Sequence, residues 1–138
     1  MARVIGFFEG LSPDDLGRLD TLYAADARFK DPFNEVQGVP AIAAVFEHMY
    51  GVLDAPRFVV HTAVIDGRHG FVTWDFLFRF RRFERTREQC VRGASHLVFA
   101  EDGRIAVHRD YWDAAEELYG KLPVVGALMR WLGRRAST

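Results

Sequence analysis

One cysteine, Cys90, in 138 residues excludes an internal disulfide and a metal site built from cysteines. A reducing cytoplasm is the expected setting. Charge of one sign is also lacking: 18 basic residues face 19 acidic ones, for a formal net charge of -1. That balance argues against a nucleic-acid binder that works by neutralising phosphates. No apolar run approaches the roughly 20 residues of a membrane span. Glu9 interrupts the first apolar stretch, Val4 to Phe8, too early for a signal peptide. Repeats, low-complexity stretches and obvious linkers are missing as well. What is plentiful is apolar side chain: 49% of residues are hydrophobic and twelve are phenylalanine, enough for a sizeable core in one domain over residues 1–138. A chain of this size buries roughly two-thirds of its unfolded surface.

The first third reads helical. Val4, Phe7, Phe8 and Leu11 share a helical face. Ser12-Pro13-Asp14-Asp15 has the chemistry of a helix start, with Ser12 as N-cap, Pro13 at the first position and acids in the first turn. Leu16, Leu19, Leu22 and Tyr23 extend that helix. Ala27 to Lys30 is a short extended piece that stops at Asp31-Pro32, because a residue before proline is pushed out of the helical region. Gly38-Val39-Pro40 opens another helix, with Ile42, Val45, Phe46 and Met49 on one face.

After Pro56 the period changes from helical to two. Residues 58–65, 71–82, 88–100 and 104–112 are rich in β-branched and aromatic side chains, with Asp66-Gly67 and Asp102-Gly103 as hairpin signals between them. Trp74, Phe76, Phe78 and Phe80 alternate with Asp75, Leu77, Arg79 and Arg81, so the sheet has one strongly apolar face. Helices followed by an antiparallel sheet give an α+β fold with the helices on that face. Near the end, Pro123 starts an amphipathic helix with Val124, Val125, Leu128, Met129, Trp131 and Leu132 apolar, expected to dock on the core or on a partner subunit.

Asp31, between Phe29-Lys30 and Pro32-Phe33-Asn34, has two readings. It caps the turn before Pro32, or it stands in an apolar place where its charged form is disfavoured and it becomes a usable proton acceptor.

The order helix, helix, short strand with Asp-Pro-Phe, helix and long meander resembles the cone-shaped nuclear transport factor 2-like fold over nearly the whole chain. Residues 22–33, Leu-Tyr-Ala-Ala-Asp-Ala-Arg-Phe-Lys-Asp-Pro-Phe, resemble bacterial ketosteroid isomerases and SnoaL-like polyketide cyclases. Glu101-Asp102-Gly103-Arg104-Ile105 leading to Tyr111-Trp112 is a second match, and Arg109 to Asp113 is similar to limonene epoxide hydrolases. The resemblance puts Asp31 at the isomerases' general base. In those enzymes a tyrosine and a protonated aspartate form the oxyanion hole beside the base. The corresponding positions here are Phe7, which donates nothing, and Ser95, which offers one weak donor. The epoxide hydrolases' strand aspartate falls on Asp110, but their partner arginine and aspartate fall on the aromatic face of Trp74 to Phe80.

The resemblance also implies which side chains face the cone. Asp31, Ser95, His108 and Asp110 would line it among Phe7, Phe46, Phe58, Trp74, Phe76 and Trp112. His108 and Asp110, two apart on a strand, share a face. They are neighbours, open to a catalytic pairing or to a purely structural one. His48, His61, His69 and His96 read as surface or helix-face residues. The spacing of His108, Asp110 and Asp31 matches no metal motif. The expected activity is cofactor-free proton transfer on a small, largely apolar carbonyl ligand, with Asp31, His108 and Asp110 catalytic. The alternative is a non-catalytic binding or interaction module whose cone is filled by its own phenylalanines. A homodimer through the outer face of the sheet, presenting Leu77, Ile105, Val107 and Tyr111, is expected in either case.

Overall fold

Period-two patterning, not the helical patterning of the first third, organises this molecule. The computed structural model describes residues 1–82 and 85–117. Six strands form one curved sheet: β1 (Tyr23–Lys30), β2 (Glu35–Gln37), β3 (Leu53–Asp66), β4 (His69–Phe80), β5 (Gln89–Phe99) and β6 (Ile105–Tyr111), in spatial order β2-β1-β6-β5-β4-β3. Helices α1 (Ala2–Glu9) and α2 (Val39–Val52) cover its inner face, and a single helical turn, α3 (Ala114–Glu117), follows β6. The fold is the expected α+β cone. The amphipathic segment from Pro123 lies outside the described residues, and among those described no helix is long and apolar enough to cross a membrane.

The turns form where their chemistry predicts. Gly67 and Gly103 take positive φ of 58° and 86° in the β3–β4 and β5–β6 hairpins, the left-handed region that Asp-Gly turns exploit. At Ser12 the start signal works as a capping box with Asp15, whose carboxylate accepts the Ser12 N–H at 2.9 Å and its hydroxyl at 3.2 Å. The helix it starts, Pro13–Thr21, is of the tighter 3₁₀ kind in place of the expected α-helix.

Two expectations need correction, and both bear on the site. The first strand begins at Tyr23, not Ala27, so Leu22 and Tyr23 do not continue a helix. The cause is long-range: β1 pairs with β6 in parallel, Tyr23 lies opposite Ile105, and Ile105 N–H bonds Leu22 O at 2.8 Å. The sheet is therefore antiparallel except at this junction. Second, Ile105 is not on the outer face but fully buried. Pairing with β5 slips between Val98, opposite Val107, and Phe99, opposite Ile105. An extra residue, Ala106, sits in that bulge and flips the parity, so Ile105 and His108 both face inward.

The core has two parts. Val4, Leu19, Leu22, Tyr23, Phe29, Ile42, Phe46, Leu97 and Ile105 pack between helices and sheet. Val72, Trp74, Phe78 and Val91 form a second cluster farther along β4 and β5. Each fully buried large side chain contributes about 1.5–3 kcal/mol. Between the two clusters the cone stays open.

Candidate active site

An open cavity of about 780 Å³ runs down the cone. Its walls come from the aromatic face of β4, from α2 and from the turn at Asp31. A recess of about 30 Å³ continues it beneath α1, sized for a water molecule. Asp110, Trp74, Phe46 and Phe58 border both spaces, so Asp110 stands where the cavity narrows.

Strand register brings the polar residues together. Ser95 lies opposite Asp110 and Leu97 opposite His108. His108 Nε2 meets Asp110 Oδ1 at 2.6 Å, and Ser95 Oγ donates to the same oxygen at 2.5 Å. Trp74 Nε1 donates to Ser95 Oγ at 2.9 Å. On the far side, Tyr23 Oη meets His108 Nδ1 at 2.6 Å. Tyr23 is fully buried and His108, Ser95 and Trp74 nearly so.

The protons in this chain can be assigned by chemistry. Burial, and then the nearby Asp110 charge, hold the Tyr23 phenol well above its ordinary range, so its hydroxyl keeps its proton. Its one described partner is Nδ1, so Tyr23 donates and Nδ1 accepts. His108 therefore carries its proton on Nε2 and donates it to Asp110. The indole can only donate, so Ser95 accepts from Trp74 and passes its own proton to Asp110. Two donors thus converge on Oδ1 of one carboxylate, and each is itself oriented by a buried aromatic. No donor reaches Oδ2 among the described residues.

Gly93 explains how Trp74 fits. It lies opposite Trp74 in the sheet, and a Cβ there would collide with the six-membered ring of the indole. The missing side chain lets the ring lie across β5 with Nε1 aimed at Ser95.

Asp31 also lines the cavity, at its mouth beside Phe33 and Trp112. Its Oδ1 accepts the backbone N–H groups of Phe33 and Asn34 at 2.8 and 2.6 Å, and the Asn34 amide reaches Oδ1 and Oδ2 at 3.1 and 3.2 Å. This is the turn-capping geometry, built within the cavity wall.

Phe46, Phe58, Trp74, Phe76, Ser95, His108, Asp110 and Trp112 all border the cavity or its recess. Phe7 does not: it packs against the core edge-on to Phe8, and Phe8 borders the recess and meets the His108 ring at 5.5 Å. Sequence reasoning missed Tyr23, which helical spacing had absorbed into a core stripe. It also missed Arg81 and Arg82, which line the cavity. Of the surface histidines, His69 and His96 stack on the outer face, their ring nitrogens 2.8 Å apart, and His61 pairs with Asp75 at 2.9 Å. No group of three or more metal-ligating side chains occurs among the described residues.

Solved structures with this architecture are numerous. A protein of ketosteroid isomerase-like fold from Catenulispora acidiphila, in complex with trimethylamine, superposes with a TM-score of 0.70 at 19% identity, covering 83% of this chain and 85% of that one. A putative SnoaL-like polyketide cyclase from a Jannaschia species gives 0.69 at 14% identity, covering 83% of each chain. An LEH-like epoxide hydrolase of M. tuberculosis gives 0.69 at 20% identity, covering 93% of each. At these identities the likeness is one of fold. No functionally curated protein matches the chain in sequence. Residues 4–108, from the first turn of α1 to the histidine of the buried network, match the model of the SnoaL-like domain, and the chain belongs to that family.

Proposed function

We propose that the cone binds a largely apolar ligand bearing a carbonyl group and moves a proton on it without a cofactor, with Asp110 as the proton acceptor. The observation that carries this is the convergence of His108 and Ser95 on one oxygen of Asp110, a residue that lines both the cavity and its recess. His108 and Tyr23 orient the carboxylate. A positioned base contributes about 100- to 10,000-fold in rate. Asp31, whose oxygens are engaged by its own turn, contacts the ligand at the mouth and gives up to Asp110 the role that resemblance alone assigned it.

A second reading has its own support. The Ser95 hydroxyl and the His108 Nε2–H are both spent on Asp110, so neither is free to polarise a ligand carbonyl. A missing oxyanion donor typically costs about 100- to 1000-fold. The same cavity would then serve as a binding module without turnover.

Exchange of the α-protons of 2-tetralone in D2O, followed by proton NMR, separates these readings. The wild type should accelerate exchange, Asp110→Asn should abolish the acceleration, and Asp31→Asn should keep most of it. Loss in Asp31→Asn with retention in Asp110→Asn would reverse the assignment. Binding without acceleration would establish the module.

The reading includes a cytoplasmic homodimer. Val64, Phe71 and Tyr111 are 55%, 49% and 48% exposed on the outer face of the sheet, an apolar surface that a second copy would cover.

A further inference from the structure

We propose that the ligand of this cavity is an elongated aromatic or polyene acid, held with its carboxylate at the rim by Arg82 and Arg81 and its uncharged end at Asp110. This rests on the reading that the cone binds a ligand and specifies the chemistry of that ligand. The cavity is electrically two-ended. Its carboxylates, Asp110 and Asp31, stand at the narrowing and on the Trp112 side, whereas Arg81 and Arg82 follow the end of β4. His48, on α2, borders the same cavity.

Between these ends β4, joined by Phe58 of β3, lays down a continuous aromatic floor. The rings of Trp74 and Phe58 are 5.5 Å apart, Phe58 and Phe76 are 4.6 Å, Phe76 and Phe78 are 5.2 Å, and Phe78 and Phe80 are 5.2 Å. Six strand steps from Trp74 to Phe80 span roughly 20 Å. A compact ligand would leave most of that floor wet. An extended flat one covers it and brings its far end to the arginines.

The rim is built to hold a charge there. Arg81 donates Nε to Leu53 O at 3.0 Å and Nη2 to Tyr50 O at 3.1 Å, which pins its guanidinium to the C-terminal end of α2. Arg82 makes no ion pair among the described residues. Glu88, on the return side of the same hairpin, is taken by Arg57 at 3.4 Å. A ligand carboxylate is thus repelled from the Asp110 end and drawn to the rim, which fixes the direction in which the molecule enters.

The test compares trans-stilbene-4-carboxylate with trans-stilbene-4-carboxamide by titration calorimetry on the full chain. The carboxylate should bind wild type about tenfold more tightly than the amide, the size expected of one charge-assisted contact. In Arg82→Gln that preference should fall below about threefold. Equal affinity of wild type for both probes would overturn the rim assignment while leaving the cavity as a binding site. Binding of neither would remove the assignment and the underlying reading together.

Discussion

Tyr23→Phe tests the proton assignment on which the site rests. The substitution removes one oxygen from a fully buried ring, the oxygen that meets His108 Nδ1. At neutral pH it leaves His108 Nδ1 buried with no donor. An orphaned buried acceptor costs about 1–3 kcal/mol, so the variant should be less stable by about that amount. The alkaline side carries the sharper consequence. Burial and the Asp110 charge raise the Tyr23 pKa in the folded state, so above the ordinary tyrosine pKa the unfolded chain has lost this proton and the native one keeps it. Stability from such a group is fully present below about pH 10 and drains as pH rises, by about 1.4 kcal/mol per pH unit for one proton. Phenylalanine has no proton to lose. The gap between wild type and Tyr23→Phe should therefore shrink above pH 10, by about 1.4 kcal/mol by pH 11. Tyr50, whose pKa is pushed up to about 12 by burial and then by Asp15, titrates alike in both proteins and cancels. Urea unfolding followed by circular dichroism, from pH 7 to pH 11, measures the gap. A gap that stays constant through pH 11 would refute the buried, proton-donating phenol.

The packing makes two further predictions. Gly93→Ala should push the Trp74 indole off β5 and break its bond to Ser95, for a loss of about 1–3 kcal/mol, read as a changed near-ultraviolet circular dichroism spectrum and a lower unfolding midpoint; an unchanged spectrum would show that the indole does not lie against Gly93. Phe71→Glu, placing a charge among Val64, Tyr111 and the His69–His96 stack, should convert a dimer to a monomer in sedimentation equilibrium at micromolar concentration, whereas a wild type already monomeric there would discard the dimer.

How much of this was readable from the chain depends on the range of the interaction. The hairpins at Asp66-Gly67 and Asp102-Gly103, the aromatic face of β4 and the face of α2 carrying Ile42 and Phe46 are local patterns, and local patterns survive folding. Tyr23 does not follow its helical spacing because it obeys a pairing more than 80 residues away. Leu16, Leu19, Leu22 and Tyr23 have helical spacing, but a strand whose neighbour in the sheet is β6 offers Tyr23 a buried histidine that a helix does not. Tertiary pairing overrides a local preference worth a few tenths of a kcal/mol per residue. A one-residue bulge at Ala106 has no signature in composition, yet it decides which side of the sheet receives Ile105.

The same distinction separates Asp31 from Asp110. Asp31 looked like the chemical residue because its neighbourhood in sequence is apolar and a proline follows it. Those neighbours also supply the backbone N–H groups that close a turn on its carboxylate. Asp110 has ordinary neighbours, Arg109 and Tyr111, and two visible hints, a histidine two positions before it and the likeness to the epoxide hydrolases' strand aspartate. Its environment is assembled from β1, β4, β5 and β6: Tyr23 behind His108, Trp74 behind Ser95, and a glycine at position 93 that lets the indole reach. A carboxylate served by local backbone is held by its turn whether or not a ligand comes. A carboxylate served by side chains from four strands exists as such only in the folded cone, and Asp110 lines the cavity there. Orientation by distant, buried partners is what a positioned acid-base group requires, since its geometry must not relax when the ligand arrives. By that criterion the proposed proton transfer is assigned to Asp110, while Asp31 lines the same cavity from its turn.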